Sequence, residues 1–273
     1  MESIGQYLLG NKIEEGSQGK VVIGQETTTG KTVAIKIIDL SKSRGKAAYR
    51  LEDATRSRIA NKKSKNLCNI ANCFKSRGYG FVIMKKYEED LFEFLTTQEK
   101  PLEEKEVKKI FYKICQGVRE LHQSGIAHLD IKPENILLDS NRNFPICDFG
   151  SVFLLNDRSI YSKPKERKQF SCTGLRFRGT QQYSAPEVEN NEFNPFQADI
   201  YSIGAILYVL LHQIFPARGE SLVLSADISQ NCSKLISSLM NENPLLRPTI
   251  EEVINHPWFK APRIFDQIKS KFV

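Results

Sequence analysis

Apolar residues at 107, 110, 111, 114, 118 and 121 recur every three or four positions, the spacing of one buried helix face. Pro101 stands ahead of that stretch and Gly125 behind it, which frames a helix. Residues 199–211 predict a second, more apolar helix, and 232–240 and 249–255 predict shorter ones. The first third reads differently. From Tyr7 to Ile38 the chain reads as short strands broken by glycines, with β-branched runs at Val21-Val22-Ile23 and at 32–37. A Thr-Thr-Gly-Lys turn at 28–31 joins those two runs. Residues 46–65 predict a very polar helix, Phe81 to Met84 a further strand, and a helix follows Glu88-Glu89-Asp90 through Leu95. A strand-rich first third and a helix-rich remainder predict two lobes with a cleft between them. No internal repeat or low-complexity linker interrupts the pattern.

Composition narrows the class without naming a function. The chain has 273 residues, 40% apolar and 26% charged, enough for one large domain or two lobes with ample core. Met1-Glu2-Ser3-Ile4 begins no secretory leader and lacks the second-position glycine of a myristoylation site. The most apolar stretch, Ile203 to Leu211, is too short to cross a bilayer, so no membrane is expected. Six cysteines form neither a CxxC pair nor a zinc-like pattern with histidine, which predicts reduced thiols and a cytoplasmic location, the nucleus being the alternative. Cys147 alone is placed to face a ligand pocket. The net charge of +7 is spread along the chain without a recognition module, so solvated lysines explain it and no nucleic-acid partner is expected. Oligomeric state leaves no trace in the sequence.

Candidate chemistry is concentrated in four segments. They are Val33-Ala34-Ile35-Lys36, the run His128-Leu129-Asp130-Ile131-Lys132-Pro133-Glu134-Asn135, Cys147-Asp148-Phe149-Gly150, and Ala185-Pro186-Glu187. The second and third of these place a candidate base, a cation, a metal-binding amide and a metal-binding carboxylate within one short stretch. In this order and spacing the chain resembles a eukaryotic protein kinase of the serine/threonine type, from about Tyr7 to Phe259. The ending His256-Pro257-Trp258-Phe259 resembles calmodulin-dependent-kinase-like groups, although the fourteen residues after it supply no calmodulin-binding tail.

The resemblance implies an α+β, bilobal kinase fold: a small antiparallel-sheet lobe with one helix (7–86), a larger mainly helical lobe (87–259), and a short extension at 260–273. It implies ATP and Mg²⁺ as ligands and proteins as substrates. Asp130 would be the base and Lys132 would neutralise charge on the moving phosphoryl group. Asn135 and Asp148 would hold metal. Gly16 and Gly19 would let backbone N–H groups approach phosphate, and Lys36 would grip the α- and β-phosphates. Ile13, Val21, Ala34, Met84 and Leu137 would enclose the purine, and Asp90 would meet the ribose. Asp90 and Glu134 would also favour basic residues near the acceptor in a substrate. Lys36 needs a partner glutamate from the polar helix. Glu52, sixteen residues on, is the candidate, although counting back from Asn69-Ile70 lands on Arg58.

Departures from the family pattern bear on activity and regulation. Glu14 takes the place of the first loop glycine, and Leu129 that of the arginine that binds an activation-segment phosphate. Without that arginine, activity is expected not to depend on the phosphate. These departures motivate the alternative of a pseudokinase scaffold, against which Lys36, Asp130, Lys132, Asn135 and Asp148 are all intact. The basic stretch Lys163, Lys165, Arg167, Lys168, Arg176 and Arg178 reads as a solvated loop, with an acidic docking strip as the other reading and Ser159, Ser162, Ser171 or Thr173 as candidate phosphosites. Thr180 is expected to contact Asp130 and Lys132, Glu187 to pair with Arg247, and Asp199 to anchor the backbone around Asp130. Between Pro216 and Ser233 the chain is shorter than the resemblance leads one to expect.

Overall fold

The computed structural model describes residues 2–16, 19–156, 172–173, 181–190, 192–216 and 222–260. Its first lobe is a six-stranded antiparallel sheet built from β1 (Ser3–Ile4), β2 (Tyr7–Gly16), β3 (Gly19–Glu26), β4 (Thr32–Asp39), β5 (Ile70–Ser76) and β6 (Tyr79–Lys85), in the order β1-β2-β3-β4-β6-β5. The period-two alternation of strands sorts their side chains. On one face Val33, Ile35 and Ile37 pack with Ile4, Tyr7, Val22, Phe81 and Ile83 into a small core. Register places Val21, Lys36 and Val82 abreast, and Ile23, Ala34 and Met84 abreast. Lys36 and Ala34 therefore share the opposite face, which looks toward the cleft.

Helix α1 (Ser43–Ile59) covers part of that second face, with Tyr49 packed against Ile38 and Val82. It starts and ends earlier than the predicted span of 46–65. Beyond it the Ser64 side chain accepts from the backbone N–H of Asn66 and Leu67, a local turn that replaces further helix. Gly45 permits the helix start. A Cβ there would lie 2.0 Å from the Asp39 carbonyl oxygen.

The second lobe is built around α3 (Glu104–Gln123) and α4 (Pro195–His212), after the short α2 (Leu91–Thr96). Buried Val107, Ile110, Phe111, Ile114, Val118 and Leu121 are the predicted stripe of α3. Helix α4 is buried at nearly every position, as its uninterrupted apolar sequence requires. Helices α5 (Gln230–Leu239) and α6 (Ile250–Ile254) complete the core. Trp258 closes it, its Nε1–H donating to Glu104 Oε1 at 2.7 Å. The two-lobed α+β architecture implied by the resemblance is present. Among the described residues no helix is long and apolar enough to cross a membrane.

Arg247 joins the segments below the cleft. It is fully buried and forks onto both carboxylate oxygens of Glu187, at 2.5 and 2.8 Å. Its remaining N–H groups meet the carbonyls of Gln197, Asn241 and Glu242. The expected pair is thus a hub for three stretches of chain.

Candidate active site

A cavity of about 490 Å³ opens between the lobes. Ile13, Gly16, Gly19, Val21, Ala34, Lys36 and Met84 line it from the sheet side, and Asp90, Asp130, Lys132, Asn135, Leu137 and Asp148 from the helical side. Of the candidate catalytic, ligand-binding and metal-holding residues, Glu52 alone lies off the wall, and it stands directly behind Lys36. At the glycine turn, Gly19 has φ +149°, and a Cβ there would sit 2.2 Å from the Ile37 carbonyl oxygen. The backbone alone fits that gap.

Lys36 Nζ donates to Glu52 Oε1 at 2.9 Å and to Asp148 Oδ1 at 2.7 Å. Helix α1 makes this possible because Ala48, Glu52, Thr55 and Ile59 form its buried stripe. Arg58 lies on another face, where its Nη1 donates to the Gly125 and Leu155 carbonyls. Burial alone would lower the Lys36 pKa, but the adjoining Asp148 and Glu52 carboxylates overrule it and the net shift is upward. Burial likewise opposes ionisation of Asp148, yet Lys36 holds its carboxyl below the ordinary range. Glu52 is pushed up by burial, which Lys36 only partly offsets. The ammonium is therefore fixed in charge and position between two elements of different lobes.

The segment around Asp130 is held from below by Asp199 of α4. Asp199 Oδ2 accepts from the His128 N–H at 2.7 Å and Oδ1 from the Leu129 N–H at 2.8 Å. Leu129 has φ +63°, a conformation costly for a leucine, and this clamp stabilises it. Pro133 then opens a one-turn helix, Pro133–Asn135, which folds Asn135 back toward Asp130. The Asn135 amide nitrogen donates to the Asp130 carbonyl at 2.8 Å and to its carboxylate at 3.2 Å, so the amide oxygen is the atom left for a cation. His128 is a packing residue: its Nε2 lies 2.9 Å from the Cys147 carbonyl and its ring meets Phe149 edge-on.

The donor set suits Mg²⁺. Asn135 and Asp148 would offer it two hard oxygen ligands on one wall, few enough to suit a cation that keeps most of its shell for phosphates and water. Among the described residues no cluster of three or more His, Cys, Asp or Glu side chains offers an all-protein cage. Burial raises the Cys147 thiol well above its ordinary pKa, so it lines the cavity as a neutral group and not as a thiolate.

At the mouth, β7 (Glu89–Asp90) pairs with β8 (Leu137–Leu138), setting Asp90 opposite Leu137. Asp90 also caps α2, accepting from the Glu93 N–H at 2.8 Å. Burial pushes its carboxyl upward, and Glu93 and Glu134 nearby add to that. Glu134 Oε2 is buried and accepts no hydrogen bond among the described residues. Residues of the wall that were not anticipated include Glu93 of α2 and Arg44, in the first turn of α1. The polar surroundings of Arg44 in the sequence carry no distinguishing signal. Thr180, the basic stretch from Lys163 to Arg178, the candidate phosphosites Ser159, Ser162 and Ser171, and residues 261–273 of the 260–273 extension lie outside the described residues.

Comparison with known proteins agrees with this geometry. The family described as Protein kinase domain matches residues 7–259. The chain is 32% identical to CBL-interacting protein kinase 31 of Oryza sativa subsp. japonica, over 97% of this chain and 60% of that protein. It is 31% identical to CBL-interacting serine/threonine-protein kinase 3 of Arabidopsis thaliana, over 97% of this chain and 61% of that protein. It is also 30% identical to the carbon catabolite-derepressing protein kinase of Saccharomyces cerevisiae, over 94% of this chain and 41% of that protein. The chain thus spans 41% to 61% of the length of these relatives. A lysine locked between two carboxylates, a clamped Asp130 loop and these likenesses lead to one assignment: the chain belongs to the eukaryotic serine/threonine protein kinase superfamily.

Proposed function

We propose that the chain is a catalytically active kinase that transfers the γ-phosphoryl group of ATP, with Mg²⁺, to serine or threonine hydroxyls of proteins. The observation that carries this reading is the convergence of Lys36, Asp130, Asn135 and Asp148 on one cavity, with Lys36 braced by Glu52. We place the kinase domain at 7–259, divided near residue 86. The pseudokinase alternative draws on Glu14 and Leu129, neither of which removes a group from the reacting end.

Phosphoryl transfer asks mainly for positioning and charge neutralisation. Lys36 holds the α- and β-phosphates, and Gly16 and Gly19 leave backbone N–H groups free to approach them. Bound at Asn135 and Asp148, Mg²⁺ supplies neutralisation of phosphate charge. Asp130 accepts the hydrogen bond of the acceptor hydroxyl and takes its proton as the new O–P bond forms and the bond from the γ-phosphorus to the β,γ-bridging oxygen breaks, releasing ADP. Lys132, on the same wall, faces the charge that builds on the transferred group. The Glu134 oxygen that has no partner among the described residues, with Asp90 and Glu93 close by, is an anionic mouth suited to arginine or lysine near the acceptor.

The test is transfer of radiolabelled γ-phosphate to a basic peptide by the native chain and by Asp130→Asn. A loss of about 10²–10⁴-fold is expected for the variant. Replacing the peptide's basic residues with alanine should weaken its use. Equal incorporation by native chain and variant would overturn the enzymatic reading.

A further inference from the structure

A second cavity, about 410 Å³, shares no lining residue with the catalytic one. It runs along the outer face of α3, between that helix and the 139–144 loop. Lys105, Lys109 and Lys113 of α3 line it together with Arg142 from the loop. Each lysine lies four positions from the next, so all three share one helix face. Lys108 points elsewhere, over the Trp258 ring.

The cations on the loop side are pre-positioned. Lys113 Nζ donates to the Arg142 carbonyl and lies over the Phe144 ring. The Arg142 guanidinium sits over Phe94 at 5.7 Å and 3.4 Å from Glu106. Lys105 and Lys109 are exposed and make no ion pair among the described residues. Ile110 and Phe144, both nearly fully buried, form an apolar floor. Four cations thus surround a groove that also holds two carboxylates, Glu103 and Glu106.

We propose that this groove docks an extended, acidic segment of a protein partner, with carboxylates at alternate residues. The spacing supports it. Residues four apart on a helix are separated by ~6 Å along its axis. Alternate side chains of an extended strand recur every ~6.6 Å on one side. A strand laid along α3 therefore presents one carboxylate to each lysine in turn. Glu103 and Glu106 favour a peptide over a nucleic acid, because an unbroken phosphate backbone would be repelled by both, whereas a peptide can leave neutral or basic residues beside them. The site works independently of the catalytic cavity, so docking and phosphoryl transfer can be tested apart.

The experiment is fluorescence anisotropy of a labelled ten-residue peptide of alternating aspartate and serine, titrated with the full chain at low salt. Saturable binding is expected, weakening as salt is raised. The K105E/K109E double variant, melting like the native chain, should bind at least about tenfold more weakly. Lys109→Ala, which reverses no charge, should lose about two- to fivefold. Native-like affinity in both variants would overturn the site. Equal binding of a peptide with its aspartates contiguous would overturn the alternating register. Tighter binding of a ten-nucleotide single-stranded DNA would replace the peptide by a nucleic acid.

Discussion

Leu129 stands where the resemblance expects an arginine, and its surroundings explain how the chain does without one. Its side chain is buried with Ala185, Val188, Phe193 and Ala198, against partly buried Phe153 and Tyr201. The strand containing Phe193, β10 (Glu192–Phe193), in turn pairs with β9 (Cys172–Thr173). An apolar contact thus braces the ground beneath the activation segment, where an arginine would have needed a phosphate to neutralise it. We expect enzyme treated with a phosphatase to transfer phosphate as fast as untreated enzyme. Loss of most activity on dephosphorylation, restored by rephosphorylation, would show that another cation has taken over the arginine's part. Leu129→Arg should also destabilise the fold, because it buries a charge among apolar side chains.

Between elements, the buried Arg247–Glu187 fork ties the loop after α5 to the segment following the activation region and to α4. Arg247→Met leaves the Glu187 carboxylate without its partner, a loss expected to cost ~3–5 kcal/mol and to lower the melting temperature by about 10 °C. Adding Glu187→Gln should recover part of that loss, since no orphaned charge remains. A thermal melt unmoved by Arg247→Met would assign the pair no structural part. This pair was legible in the sequence because both partners sit in recognisable motifs. The long amphipathic helix α3 was legible from its period, and the cavity walls from their motifs. Glu52 was harder. Motif counting led to Arg58, six residues on and therefore about 240° around the helix. The spacing of Ala48, Glu52, Thr55 and Ile59 marks the inward face, but the polar majority of that segment hides it. Strand β5 was not anticipated because polar Asn72 and Lys75 and a register shift between Ile70 and Asn72 break its alternation. The two-residue strands exist only through their tertiary partners, so no local pattern announces them.

At the scale of the whole molecule, the cleft joins two lobes with separate cores, and a ligand touching both walls should stabilise them together. Sheet residues Val21, Ala34 and Lys36 face Asn135, Leu137 and Asp148 across the same cavity. Mg²⁺ and ATP at about a hundred times their dissociation constant would add ~2.7 kcal/mol, raising the melting temperature by about 5–10 °C. Chelating the metal should reduce the increment, since Asn135 and Asp148 would then face the phosphates without a bridging cation. Asp130→Asn should keep the full increment, because the proposed mechanism assigns Asp130 to the acceptor hydroxyl and not to the nucleotide. Lys36→Met should lose most of it. That variant also starts from a lower melting temperature, with the buried Glu52 and the part-buried Asp148 left as neighbouring carboxylates, so each increment is read against its own ligand-free baseline. Retention by Asp130→Asn together with loss by Lys36→Met would separate nucleotide binding from proton transfer without measuring a turnover. Equal increments in all three proteins would mean that the nucleotide sits elsewhere, and the roles given to Lys36 and Asp130 would fall together.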